Sequence, residues 1–320
     1  MVNDMIRKLT DILKGKKRVA LGGHMRPDGD CTGSCLGLYL YIKKNHPQME
    51  VDVYLEDIPK AFDLLKGGEA IKGQVNESDV YDLFISLDCG DEERLGFSLP
   101  LFKNAKSTLC IDHHISNTGF ADENIIIPTA SSTCELVYTL MDSTLIDVDI
   151  ATALFTGIAH DTGIFRFDST SPQTMMIAAD LLSKGIKGNE IIDTTFYEKT
   201  FVQTKITGLA LYQSELLLDG RIIVSSLSAD DMSKFEATTQ DLEGIVSQMW
   251  MTKDIAVALF LYELEDGSYK VSLRSGDVVD VSLVATHFGG GGHKKAAGCS
   301  VKPPVFSAIE SIIAEIKKQL

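Results

Sequence analysis

Short, nearly continuous apolar segments alternate with segments of helical periodicity along the first half of the chain. Apolar runs of this length are typical of strands that are buried on both faces, as in a parallel sheet covered by helices. The pattern therefore predicts an α/β domain with a parallel sheet. The predicted strands are Lys17 to Gly22, Val51 to Leu55, Asp82 to Leu87, Ser107 to Ile111 and Asn124 to Ile127. The predicted helices are Thr32 to Lys44, Ser131 to Met141, Asp149 to His160 and a segment opened by Ser171-Pro172 and closed by Gly185.

The second half has a different pattern. Glu215 to Leu227 and Ala256 to Arg274 are strand-like and each contains an Asp-Gly pair, which favours a hairpin turn. Helices are predicted near Thr239 to Trp250 and Pro304 to Leu320. These elements indicate a smaller α+β domain.

A helical segment from Gly188 to Leu211 has no strong apolar face, and we interpret it as a connector. The predicted organisation is a catalytic domain over residues 1–187, a connector over 188–211 and a substrate-binding domain over 212–320.

The composition is that of a globular protein, with 44% hydrophobic and 23% charged residues among 320. With 45 acidic and 30 basic residues the formal charge is −15, which argues against salt-driven binding to long nucleic acid. The six cysteines form no CxxC pair, so we expect reduced thiols and a cytoplasmic protein. We expect no signal peptide in residues 1–20, and the apolar run Ile255 to Tyr262 is too short to cross a membrane.

Residue types that bind metal ions follow several of the predicted strands. In an open parallel sheet, ligands bind beyond the carboxyl ends of the strands. The candidates are His24, Asp28 and Asp30 after the first strand, Asp88 and Asp91 after the third, Asp112, His113 and His114 after the fourth, and Asp161 at the end of a helix. Each motif alone can be explained by a purely structural role, because Asp-Gly-Asp suits turns and single histidines are often structural. Together, however, so many carboxylates at one edge would repel each other unless divalent cations lay between them.

The segment Pro27-Asp28-Gly29-Asp30 bends sharply, so its two carboxylates can contact two different cations. Mixed carboxylate and imidazole ligands favour Mn²⁺, with Mg²⁺, Zn²⁺ and Co²⁺ as alternatives. The amides near Cys31 to Ser34, at the start of the next helix, can bind an anion.

A glycine-rich segment, His287-Phe-Gly-Gly-Gly-Gly-His293-Lys-Lys, forms the second strong motif. Its glycines allow the backbone to approach a ligand closely and to present several N–H donors. A P-loop is excluded because no Gly-Lys-Ser/Thr follows, and a flexible linker is the bland alternative. Arg274, at the end of a predicted hairpin strand, is either a surface charge or a partner for phosphate.

The motifs GHMRPDGD, LDCGD, DHH, HDTG and GGGGH, in this order, resemble those of the DHH phosphoesterase family with its DHH-associated C-terminal domain. Within that family the chain is most similar to compact bacterial oligoribonucleases that also act as 3′-phosphoadenosine 5′-phosphate (pAp) phosphatases. The resemblance implies an active-site cleft between a parallel-sheet domain and a smaller α+β domain. It also implies two divalent metal ions, most readily Mn²⁺.

The resemblance further implies roles for individual residues. One metal ion is expected on His24, Asp28 and Asp88, and the other on Asp30, Asp88, His113 and Asp161. His114 is expected to face the scissile phosphate, and Asp112 to orient a ligand or the attacking water. Substrate-binding residues are expected at Arg274, Gly290, Gly291, Gly292 and His293, with Arg166 as a further phosphate contact or a plain surface charge. His160, Cys31 and Cys89 stand beside ligands and are interpreted as packing neighbours, with an indirect role at the metal site as the alternative for His160.

The expected activity is hydrolysis of oligoribonucleotides of about two to five residues to mononucleotides, and removal of the 3′-phosphate of pAp. Hydrolysis of cyclic di-AMP or pApA is the alternative, and pyrophosphatase, long-strand exonuclease and non-catalytic sensor functions are ranked lower. The expected partners are short RNA and small nucleotides, with no long DNA and no membrane, and a homodimer is left open.

Overall fold

The computed structural model describes residues 8–320, so the first seven residues of the segment examined for a signal peptide lie outside it. The chain divides into two compact units, one ending at Glu198 and one comprising Lys199–Leu320. This division falls inside the predicted connector. No helix in the described part of the chain is long and apolar enough to cross a lipid bilayer.

A six-stranded sheet in which every pairing is parallel forms the centre of the first unit, with the strand order β3-β2-β1-β4-β5-β6. Its strands are β1 (Arg18–Gly22), β2 (Glu50–Tyr54), β3 (Ile71–Lys72), β4 (Leu83–Leu87), β5 (Thr108–Asp112) and β6 (Glu123–Ile126). Every residue of β4 is buried, as its unbroken apolar run predicted. The predicted parallel α/β class is therefore confirmed.

The strand order reverses between β1 and β4, which are hydrogen-bonded neighbours. Gly22, the last residue of β1, pairs with Ser86, so both strands end at the same edge. Such a reversal separates the two flanking connections and leaves room for a ligand at the carboxyl ends. The segments after β1 and β4 are therefore held side by side.

Helices cover the sheet: α1 (Leu9–Ile12), α2 (Gly29–Asn45), α3 (Leu99–Asn104), α4 (Thr133–Leu140), α5 (Val148–Asp161), α6 (Pro172–Ser183) and α7 (Gly188–Ile192). Helices α2 and α5 pack at backbone distance because glycines recur every four residues on one face of α2. A methyl group on Gly33 would lie 2.4 Å from the carbonyl oxygen of Ala153, and one on Gly29 would lie 2.3 Å from the ring of His160. Only glycine permits this approach.

The second unit contains a mixed sheet with the order β11-β12-β10-β9-β8-β7. Its strands are β7 (Glu215–Leu217), β8 (Ile222–Leu227), β9 (Val257–Glu263), β10 (Tyr269–Ser275), β11 (Gly291–His293) and β12 (Ala296–Val301). Its helices are α8 (Phe201–Tyr212), α9 (Ala229–Lys234), α10 (Ile245–Trp250), α11 (Val281–His287) and α12 (Val305–Lys317). Strands β7–β8 and β9–β10 are antiparallel around Asp219-Gly220 and Asp266-Gly267, so both predicted hairpins are confirmed.

Two predicted helices are interrupted. The segment near Thr239 to Trp250 is a short 3₁₀ turn (Thr239–Leu242) and α10, separated at Gly244, which has φ 87°. The connector consists of α7, a π-helical turn (Asp193–Tyr197) and α8, which begins after a new cap at Thr200. Turn chemistry at single residues overrides helical periodicity in both cases.

Candidate active site

Four segments of the first unit converge at the carboxyl edge of the sheet. These segments are the turn after β1, the residue after β4, the end of β5 with the loop that follows, and the C-terminus of α5. They bring together the six predicted metal ligands: His24, Asp28, Asp30, Asp88, His113 and Asp161. Asp30 and Asp88 are fully buried, whereas the side chain of Asp28 is 56% exposed. The cluster therefore has a buried base and one open side.

One end of the cluster is centred on His24. Its Nε2 lies 3.5 Å from Asp88 Oδ2 and 3.7 Å from Asp28 Oδ1. Its Nδ1 is 2.9 Å from the carbonyl oxygen of Met25, which accepts the Nδ1–H and leaves Nε2 available to bind a metal ion. Burial disfavours the charged imidazole, but hydrogen bonds to Asp28 and Asp88 outweigh it and raise the pKa of His24 well above its ordinary value.

The other end is centred on His113. Its Nε2 lies 2.9 Å from Asp161 Oδ2, 3.7 Å from Asp88 Oδ1 and 3.9 Å from Asp30 Oδ2. Its Nδ1 points to the carbonyl oxygen of Ala130 at 3.3 Å, so this ring is oriented in the same way as that of His24. Burial lowers the pKa of His113, but the hydrogen bond to Asp161 and the nearby carboxylates raise it overall to about 10.

Asp88 lies between the two ends, with one carboxylate oxygen toward each histidine. Its backbone has φ 59°, in the left-handed region that aspartate enters more readily than most residues. The hydroxyl of Thr133 donates to Oδ1 at 3.1 Å. This arrangement allows one carboxylate to contact two cations.

The N-terminus of α4 anchors Asp30, a contact that sequence analysis did not predict. The backbone N–H groups of Thr133 and Cys134 donate to its two oxygens at 2.6 and 2.9 Å. Each carboxylate oxygen of Asp30 accepts one N–H and keeps a lone pair that is available to a cation. The capping segment Ser131-Ser132-Thr133 was visible in the sequence as a helix start, but nothing there indicated that a carboxylate 103 residues earlier would bind to it.

The cluster fits divalent cations by its charge and its donor types. Burial and the neighbouring carboxylates of Asp88 and Asp161 raise the pKa of Asp30 well above its usual range. Burial, together with Asp88, likewise raises the pKa of Asp161 despite its bond to His113. Like-charged groups held this close are stabilised by a cation, and carboxylate with imidazole is a donor set for such ions.

A hydrogen-bonded chain runs beside the cluster. His114 Nδ1 donates to Asp112 Oδ1 at 2.7 Å, and the Asn117 side-chain amide donates to Asp112 Oδ2, also at 2.7 Å. The bond to Asp112 is the main cause of a raised pKa of His114. Asp112 thus orients His114, whose side chain is 39% exposed. Asn117 was not predicted, and an Asn three positions after the second histidine is too ordinary a signal to identify it.

His160 turns away from the metal ligands and packs in an aromatic environment. Its ring stacks on Phe196 at 4.1 Å between centroids and meets Phe62 edge-on at 5.0 Å. Its Nε2 is buried and has no hydrogen-bond partner among residues 8–320. Burial lowers the pKa of His160 to about 4, so the ring is neutral and packs against Gly29.

In the second unit, Arg274 and His293 lie in one row across three strands. Arg274 of β10 pairs with Ala296 of β12, which pairs with His293 of β11. Paired residues project from the same face of a sheet, and the small side chain of Ala296 leaves the space between the two open. Arg274 is partly buried, which lowers the pKa of its guanidinium, and it has no ion-pair partner in the described chain.

Only part of the glycine-rich segment is strand: β11 comprises Gly291–His293, and Gly289 and Gly290 precede it. A methyl group on Gly290 would lie 2.2 Å from the carbonyl oxygen of Gly298, and one on Gly292 would lie 2.5 Å from that of Ala296. These two glycines are therefore required by close pairing with β12. A methyl group on Gly291 meets nothing within 4 Å, so this exposed residue has no packing reason to be glycine.

Arg166 lies on the exposed turn that follows Asp161. The preceding residues Gly163, Ile164 and Phe165 have φ values of 55°, 60° and 60°. A β-branched residue in this region is strained, and the turn is fixed by backbone bonds from residues 166 and 167 to the carbonyl oxygen of Thr162. The side chain of Arg166 has no ion-pair partner within residues 8–320.

Comparison with known proteins identifies the class of enzyme. Residues 18–158 match the DHH family, N-terminal domain, and residues 219–320 match the DHHA1 domain. The chain belongs to the DHH family, whose members are phosphoesterases that use divalent metal ions.

Individual relatives cover nearly the whole chain. The chain is 28% identical to the bifunctional oligoribonuclease and PAP phosphatase NrnA of Thermus thermophilus, over 99% of this chain and 95% of the relative. It is 30% identical to the probable bifunctional oligoribonuclease and PAP phosphatase NrnA of Streptococcus mutans, over 90% and 91% of the two chains. Among solved structures it is similar to an exopolyphosphatase-related protein from Bacteroides fragilis, with a TM-score of 0.87 and 25% identity over 97% and 94% of the chains.

Proposed function

We propose that this protein hydrolyses short oligoribonucleotides to mononucleotides and removes the 3′-phosphate of pAp, with Mn²⁺ as its metal ion. The observation that carries the proposal is the convergence of six predicted ligands from four chain segments at one edge of the sheet. The named activities of relatives that align over nine-tenths or more of this chain support the choice of substrate.

His24, Asp28 and Asp88 would hold one cation, and Asp30, Asp88, His113 and Asp161 the other. Bound divalent cations would neutralise phosphoryl oxygens and lower the pKa of the attacking water. The protein's contribution is a set of donors whose positions are already fixed by Met25, Ala130 and the N-terminus of α4. Hard oxygen and imidazole donors favour Mn²⁺ within this set.

His114 would offer its free ring nitrogen to a phosphoryl oxygen of the substrate. Its Nδ1 is occupied by Asp112, and Asp112 is itself held by Asn117, so the ring cannot turn freely. A donor fixed in advance stabilises developing charge without a reorganisation cost.

Arg274 and His293 would bind the nucleotide through its phosphate or base, with the exposed amide of Gly291 as a further donor. A partly buried guanidinium with no carboxylate partner binds an anion strongly, because the protein supplies no competing charge. We assign Gly290 and Gly292 to the same site, and Arg166 to a phosphate beside the metal ligands.

The proposed substrate is a short RNA strand, and the proposed location of the protein is the cytoplasm. A net charge of −15 repels an extended polyanion, so additional nucleotides add repulsion rather than binding. All six cysteines are free and buried, which suits a reducing compartment.

The product profile on a small substrate panel tests this function. The panel contains pAp, pApA, cyclic di-AMP, pyrophosphate and 5′-phosphorylated RNA from two to some two dozen nucleotides, at fixed salt and with Mn²⁺. We expect the specificity constant to be highest for pAp and for RNA of about two to five nucleotides and to fall for longer RNA. A specificity constant that rises steadily with length, or a preference for cyclic di-AMP over pAp and short RNA, would contradict the proposal.

A further inference from the structure

The two ends of the metal-ligand cluster differ in one donor atom. Cys31 follows Asp30 in α2 and is fully buried, with its Sγ 3.2 Å from the backbone nitrogen of His24, whose N–H it accepts. The Cys31 sulfur, a ring nitrogen of His24 and a carboxylate oxygen of Asp88 all lie within 4.8 Å of one another. These three atoms form a His–Cys–Asp donor set at the His24 end.

Other buried cysteines near the cluster point elsewhere. Cys89 follows Asp88 in the chain, but its Sγ faces the carbonyl oxygen of Leu87 at 3.5 Å. Cys134 faces the backbone carbonyl oxygen of Asp30 at 3.6 Å. The donor group at the other end, Asp30, His113 and Asp161, contains no sulfur. Among these thiols, Cys31 alone belongs to such a donor group in the described chain.

We propose that Cys31 is a metal ligand for thiophilic divalent cations such as Zn²⁺ and Cd²⁺. The His24 end of the centre then has a soft sulfur donor, whereas the donors at the His113 end are the hard oxygen and nitrogen atoms only. On binding, the thiol proton passes to solvent and a sulfur–metal bond forms, with no change of oxidation state. Cysteine, histidine and carboxylate donors together are typical of zinc sites, and the exposed Asp28 supplies a fourth donor. The inference rests on the metal centre of the proposed function but not on its substrate.

Absorption spectroscopy with Cd²⁺ tests the proposal on the metal-free full-length chain. A cadmium–thiolate bond gives an ultraviolet charge-transfer band that oxygen and nitrogen ligands do not produce. We expect this band in the wild type and in the matched control Cys89→Ser, and its loss in Cys31→Ser and Cys31→Ala. Calorimetric titration of Cys31→Ala should show Cd²⁺ affinity lower by about ten- to a hundredfold, while Mn²⁺ affinity stays within about twofold of the wild type.

The two Cys31 variants guard against a folding defect, because alanine keeps an apolar atom in the buried position and serine keeps the shape. Circular dichroism and Tm of each variant accompany the titrations. A band of equal strength in folded Cys31→Ala, or a wild type that binds Cd²⁺ without the band, would overturn the assignment of Cys31. A wild type that binds neither Cd²⁺ nor Mn²⁺ would instead overturn the metal centre of the proposed function.

Discussion

The candidate residues of the two units are arranged in opposite ways. In the first unit, carboxylates and histidines are crowded together, mostly buried, and held by backbone groups such as the carbonyl oxygen of Met25. In the second unit, Arg274 and His293 stand apart on one sheet face, and Arg274 has no carboxylate partner among residues 8–320. The first arrangement has an excess of negative charge and suits cations, whereas the second has an excess of positive charge and suits an anion. The chemical step and the binding of substrate should therefore be separable by mutation.

The largest effect should come from the first unit. Asp88→Asn removes charge from the carboxylate shared by both histidine ends, so we expect hydrolysis to fall on the order of a thousandfold or more while the protein stays folded. Steady-state rates, Tm and Mn²⁺ titration measure this. Asp91→Asn is the matched control. The sequence also made Asp91 a candidate, but in the structure this residue is exposed, accepts the backbone N–H of Arg94 and belongs to no donor group of the described chain, so the rate should be kept. Near wild-type turnover by Asp88→Asn would exclude the shared-ligand arrangement.

A smaller effect, on binding, is expected from the second unit. Arg274→Ala removes the unpaired guanidinium, and a charge-assisted contact is worth about 1.5–3 kcal/mol, so KM for pAp should rise about ten- to a hundredfold. Mn²⁺ affinity should not change. Lys270→Ala is the control, because Lys270 lies on the same strand and the same face. Equal effects from both variants would indicate a general loss of charge rather than a specific contact.

Asn117→Ala should lower kcat by about tenfold with little change in KM, since Asn117 holds Asp112, which orients His114. The Asn117 amide also donates to the carbonyl oxygen of Cys89, so part of the loss can come from the loop that carries Asp88. The double variant with His114→Ala distinguishes this from a packing defect. If Asn117 works through His114, the two losses will not add. Additive losses would show that Asn117 has a separate role.

The smallest effects concern the glycine-rich segment beside β12. Gly290→Ala should lower the free energy of unfolding by about 1–3 kcal/mol, because its methyl group would collide with β12. Gly291→Ala should change stability by less than about 0.5 kcal/mol. Weaker pAp binding by Gly291→Ala at unchanged stability would support close backbone approach to the ligand, and unchanged binding would limit the glycines to strand pairing.

The sequence predicted much of the first unit because three of its five apolar runs end at a chemical motif. Strand β4 stops at Asp88, and the parallel sheet then requires the strand ends to share an edge. The attachment of Asp30 to α4 could not be predicted, since it joins residues far apart in sequence that only the packing of α2 brings together. Asn117 was missed for a different reason: it lies only five residues after Asp112, but an asparagine in a loop is too common to mark a functional contact.

The second unit was harder to predict because its site depends on strand register. Arg274 and His293 were identified as separate candidates, and only the pairing of β10, β12 and β11 places them in one row. The glycine run predicted a ligand-binding loop, whereas close pairing explains two of its residues. Sequence spacing does not distinguish a glycine required by a ligand from one required by a neighbouring strand.

The glycine face of α2 has a consequence for the choice of metal ion. Helix α2 carries Asp28 at its N-cap and Asp30 in its first turn, while α5 carries Asp161 at its last position. Because the two helices touch backbone to backbone, their axial alignment cannot slide without collision, and a slip of a single residue would displace a ligand by about 1.5 Å. The spacing of the donors is therefore a property of a rigid helix pair rather than of the ion. With cations bound to these residues, such a fixed spacing would favour one range of ionic radius, and a bulkier residue at Gly33, one helical turn from Asp30 but outside the ligand set, would disturb that spacing.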